Sequence, residues 1–105
     1  MSEIQNRAVT LVVQKVGDIA PQSSAYRSTQ LLKSALDLYF ALGGDEDMAA
    51  ALMSKARRTR NLRVDAAVAN LMIEIAVASH LSDIDMIQAT YNRIDAELGR
   101  ESWRR

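Results

Sequence analysis

Residues 35–52 read ALDLYFALGGDEDMAAAL, and this stretch decides the fold. Leu36, Tyr39 and Leu42 recur at helical spacing up to the Gly43-Gly44 pair. Three acids, Asp45-Glu46-Asp47, then open a second periodic run through Met48, Ala49 and Leu52. Glycine enters the left-handed conformation that ends a helix without a Cβ penalty. Aspartate starts the next helix, because its carboxylate accepts from an otherwise unpaired backbone N–H and suits the positive end of the dipole. A helix, a glycine stop and a capped restart make a helical hairpin.

Reading backwards, the first arm of that hairpin extends from about Tyr26 to Leu42. Its apolar stripe is Leu32, Ala35, Leu36, Tyr39 and Leu42, and Arg27, Gln30, Ser34 and Asp37 mark the opposite face. Pro21 and the Ser23-Ser24 pair break and cap the chain ahead of it. Reading forwards, the second arm carries Met48, Ala49, Leu52, Met53 and Ala56 and stops near Asn61.

A second hairpin follows. Residues 64–80 are apolar on nearly every side between Leu71 and Ala78, with Glu74 the one interruption, which suits a helix in the middle of a bundle or under a partner. Ser82 with Asp85 reads as a variant capping box for the last helix. That helix places Ile84, Ile87, Tyr91, Ile94 and Leu98 on one face; Gly99 closes it and residues 100–105 form a frayed tail. Ahead of both hairpins, Ser2 and Glu3 open a segment with Ile4, Ala8, Leu11, Val12, Val16 and Ile19 at helical spacing. The run Thr10-Leu11-Val12-Val13 is β-prone, so a short strand is the alternative there.

The expected fold is therefore all-α: a small bundle of about five helices in one domain. Residues 1–22 supply an N-terminal helix and a proline-containing linker, and residues 23–99 a four-helix core. Aligning Asp45-Glu46-Asp47-Met48 on Asp83-Ile84-Asp85-Met86 suggests a repeat offset of 38 residues. The match beyond that turn is poor, with Leu52 meeting Thr90 and Gly43 meeting Leu81, so it reads as the rhythm of short-looped helices.

Bulk composition narrows the function classes. Thirteen bases balance thirteen acids over 105 residues, so no global field draws the chain to nucleic acid or membrane. Cysteine is absent, which excludes disulfides and zinc–thiolate sites. The N-terminus lacks the basic n-region and cleavage site of a signal peptide, and apolar runs are interrupted before they reach membrane-spanning length; a cytoplasmic, membrane-free protein is expected. The single histidine, His80, has only hydroxyl neighbours in sequence, and no glycine-rich phosphate loop occurs, so neither enzymatic chemistry nor a cofactor or metal is expected. The acids at 45–47 and 83–85 lack the alternating ligands of a calcium loop and read as helix caps.

Two features remain. KARRTRNLR, residues 55–63, brings together Lys55, Arg57, Arg58, Arg60 and Arg63, more charge than one helix dipole uses. It suits an acidic protein surface or, less well, a phosphate backbone, since no aromatic stacking partners stand nearby. The other feature is an apolar surplus on the second hairpin, at Leu71, Met72, Ile75, Ile84, Ile87, Tyr91 and Ile94. Together they point to a protein-interaction module whose partner is another protein or a second copy of itself, a homodimer being the commonest case.

Overall fold

The computed structural model describes residues 1–58 and 63–103, the last four of these as backbone only. Over the described residues the protein is all-α, with five helices: α1 (Glu3–Val16), α2 (Ser24–Ala41), α3 (Glu46–Arg57), α4 (Val64–Leu81) and α5 (Met86–Trp103). They fall into two units, one of residues 1–20 with 64–105 and the other of residues 21–63.

The β-prone N-terminal segment is helix. Ser2 caps it, its hydroxyl accepting from Gln5 N at 3.2 Å. The helix stops at Val16, short of the expected Ile19, because Gly17 takes φ 87° and donates its N–H to Val13 O. In its unit, α1 packs along α5, and α4 meets α5.

Both hairpins turn by the same device. At the end of α2, Gly43 sits at φ 96° and donates to Phe40 O, while Gly44 donates to Tyr39 O, both at 3.0 Å. At the end of α4, Asp83 sits at φ 56° and donates to His80 O at 3.2 Å, while Ile84 donates to Ser79 O at 2.8 Å. Each is a Schellman turn, with paired N–H groups closing on the last carbonyls of the helix. The next helix is then capped by Asp45, which accepts from Met48 N at 2.7 Å, or by Asp85, which accepts from Gln88 N at 2.9 Å.

These turns correct two sequence readings. Asp85, not Ser82, opens the last helix. The internal offset is 40 residues, not 38: Ser24 corresponds to Val64, Glu46 to Met86 and Ala41 to Leu81. The 38-residue alignment had matched Asp45 with Asp83, the residue that occupies the position of Gly43. In the correct register only Leu31/Leu71, Asp45/Asp85, Ala49/Ala89 and Ala56/Ala96 are identical over the paired helices and turns, so the likeness lies in the backbone.

The far end of α5 is a third correction. The helix runs through Gly99 to Trp103, so glycine there does not close it. Beyond its chain neighbours and its own helix backbone, no described atom lies within 4 Å of where a Gly99 Cβ would stand, so packing against the described residues does not demand glycine there. By length and composition alone α4 is also apolar enough to cross a membrane, although Asp65 and Glu74 interrupt it.

Candidate functional site

The seam between α1 and α5 is held by charge around a small apolar centre. Ile94 is 3% exposed and Glu97 beside it is also buried. One Glu97 oxygen lies 3.0 Å from Lys15 Nζ on α1, and the other lies 3.1 Å from Arg93 on its own helix. Arg7 on α1 pairs with Asp95, and its guanidinium stands 6.0 Å from the Tyr91 ring centre. Arg7 Nε is buried there without a hydrogen-bond partner among the described residues. The seam therefore combines charge-assisted contacts with one unsatisfied donor, which offsets part of their contribution.

That arrangement divides the seven apolar candidates. Ile94 faces the seam and is core, and Tyr91 is half-buried beside Arg7, so these two are removed from the outward set. Leu71, Met72, Ile84 and Ile87 are exposed, and Ile75 is half-buried. Met72, Ile75 and Ile87 line, with Ile4 and Ala8 of α1, a cleft of about 440 Å³ within this unit. The reason is geometric. Ile84, expected on the last helix, instead lies in the turn ahead of the Asp85 cap, while Ile87, Tyr91 and Ile94 share one stripe of α5 that is buried only at Ile94.

Among the basic candidates, Lys55 and Arg57 occupy the last turn of α3 and Arg58 is its C-cap; all three are exposed. Arg63 is exposed directly ahead of α4, and Arg60 lies outside the described residues. Glu46 and Asp47 occupy the first turn of the same helix. Of the other bases, Arg27 donates to Gln22 and lies over Tyr26, while Arg93 is taken up by Glu97. His80 is exposed at the C-terminal end of α4, where its carbonyl accepts from Asp83.

A surface that sequence reasoning missed lies in the first hairpin. Between α2 and α3 runs an apolar cleft of about 710 Å³, whose walls include Leu32, Leu36, Phe40, Leu52 and Met53. No residue of either helix is buried. A signal was present: Leu31, Leu38 and Phe40 add apolar area to α2 outside its single stripe. Tyr39 closes one end of the cleft, donating its hydroxyl to Asp45 O at 3.1 Å.

Fold and surfaces together define a small all-helical protein of two hairpins, each preceded or flanked by exposed apolar faces. Comparison with protein families, with curated proteins and with solved structures returned no match.

Proposed function

We propose that this chain is a non-enzymatic protein-interaction module, with a second copy of itself as the leading partner. The observation that carries this reading is α4. It is 18 residues long, and none of them is buried. At 100° per residue, Val68, Met72 and Ile75 share the side that lines the cleft with α1. Ile73 and Val77, 59% and 49% exposed, project from the opposite side. One neighbouring helix cannot cover both sides. Contiguous exposed apolar area of this kind marks a protein-binding surface.

Cover by protein is favoured over cover by lipid because Glu74 stands near the middle of α4. A charge at a bilayer centre costs roughly 2.5–3.5 kcal/mol even on insertion scales, and a protein neighbour can leave it at the rim. The alternative function is contact with nucleic-acid phosphates through the exposed Lys55, Arg57 and Arg58.

The test is light scattering on the purified chain at about 100 µM, at low and high salt, with and without duplex DNA or RNA. A dimer or larger assembly is expected in protein alone. A monodisperse monomer overturns self-association. Tight, salt-sensitive capture of the nucleic acid moves the assignment to the alternative, and in a separate flotation assay partition into lipid vesicles overturns cover by protein.

A further inference from the structure

We infer that α3 is the self-recognition element: it pairs antiparallel, across a two-fold axis, with α3 of a second copy, and the two α2–α3 hairpins close over the apolar cleft as a four-helix assembly. The inference rests on the self-association reading and names the surface and partner for it.

Charge complementarity is the first support. α3 begins with Glu46 and Asp47 and ends with Lys55, Arg57 and Arg58. The two groups are about 16 Å apart along the axis at 1.5 Å per residue. That exceeds the screening length of about 8 Å at physiological salt, so each end acts as a separate charge. None of these five side chains makes an ion pair or side-chain hydrogen bond among the described residues. A two-fold axis requires one patch to be complementary to itself. An antiparallel pair meets that requirement: the acidic end of α3, through Glu46, lies beside the partner's basic end, through Arg57, and the same contact recurs at the other end. A parallel pair would set acid against acid.

Register is the second support. The midpoint between Glu46 and Arg57 falls beside Leu52, which lines the cleft and is 47% exposed. With Leu52 crossing the partner's Leu52, Met48 falls opposite the partner's Ala56, a long side chain against a short one. At 100° per residue Glu46 and Arg57 lie within about 20° of each other, on the Met53 flank of the face formed by Ala49, Leu52, Met53 and Ala56. Antiparallel helices bring like flanks together, so this flank holds both members of the inter-copy ion pair. The partner then buries Leu52 and Met53, which the hairpin alone leaves open.

The experiment uses two charge variants of the full chain. One carries Arg57→Glu and Arg58→Glu, and the other Glu46→Lys and Asp47→Lys. Each alone should raise the dimer dissociation constant at least tenfold in sedimentation or light scattering, while an equimolar mixture recovers a heterodimer of native affinity. Helical circular dichroism is recorded on each, since reversing charges at helix ends also disturbs the dipole. A second measurement leaves those charges in place. Because the chain has no cysteine, Leu52→Cys should oxidise to a covalent dimer, whereas Ser28→Cys on α2 should not. A wild-type chain that stays monomeric overturns both this pairing and the self-association reading. A wild-type dimer that ignores both charge variants, or fails to cross-link through Leu52→Cys, overturns the pairing alone and leaves self-association to another face.

Discussion

Gly43 and Asp83 occupy the same left-handed position in two equivalent turns, at φ 96° and 56°, and differ in what that position costs them. Glycine adopts it freely, whereas an L side chain is strained by about 1–2 kcal/mol, less for aspartate than for most. Nothing lies within 4 Å of a Cβ placed on Gly43, so Gly43→Ala would be penalised by backbone strain alone. It should lower stability in urea unfolding by about 1 kcal/mol, and Asp83→Gly should raise it by up to about 1 kcal/mol. If the two substitutions move the midpoint the same way, the turns are not equivalent. Ile94 gives the contrasting case, because its 3% exposure places it in a packed centre. Ile94→Ala should cost about 2–4 kcal/mol, far above the change within about 0.5 kcal/mol expected at exposed Ile84. Equal, small losses at both would return Ile94 to the outer surface.

The α1–α5 seam shows the same logic in an element. Glu97 is shared by Lys15 and Arg93, and Arg7 adds the pair with Asp95, so charge supplies much of what docks the N-terminal helix. Replacing the carboxylate by an amide keeps the size and removes the charge. Glu97→Gln should destabilise this unit by about 1–2 kcal/mol, below the full value for a charged hydrogen bond because both cations keep access to water. Hydrogen exchange locates the effect: amides of α1 should exchange faster than those of α2, in the variant and also in wild type at about 1 M salt, where screening shortens to about 3 Å. Exchange in α1 that ignores both changes would show that Ile94 and its apolar neighbours hold the helix without help.

For the molecule as a whole, the exposed faces of α4 and of the α2–α3 cleft make stability a function of concentration. Association with the native chain stabilises it by mass action, so the melting temperature should rise by several degrees between about 2 and 200 µM. A melting temperature independent of concentration would contradict self-association without reference to any particular interface. Arg57→Gln with Arg58→Gln belongs at this scale too. Both side chains are exposed, so the monomer fold should hold within about 0.5 kcal/mol while the association rate falls and loses salt dependence. Unfolding of that variant would make the arginines structural.

Helix positions were legible in the sequence because their causes are local. Ser2, Ser23, Asp45 and Gly43 each act on backbone groups within a few residues, and the periodic stripes between them needed no knowledge of the partner element. All five helices, their order and the exposed Lys55–Arg58 end of α3 follow from that grammar. Where two local signals competed, pattern could not choose. Ser82, Asp83 and Asp85 all resemble caps, and only the backbone path shows that Asp83 takes the left-handed turn and leaves Asp85 to cap. Contacts between distant segments had no local trace. Residues 7 and 95 meet across 88 positions, so nothing near Ile94 announces that α1 covers it while Ile87 on the same stripe stays open. The α2–α3 cleft belongs to the same class: side-chain pattern names the apolar residues, and only their packing decides which are covered within the chain and which are left for a partner.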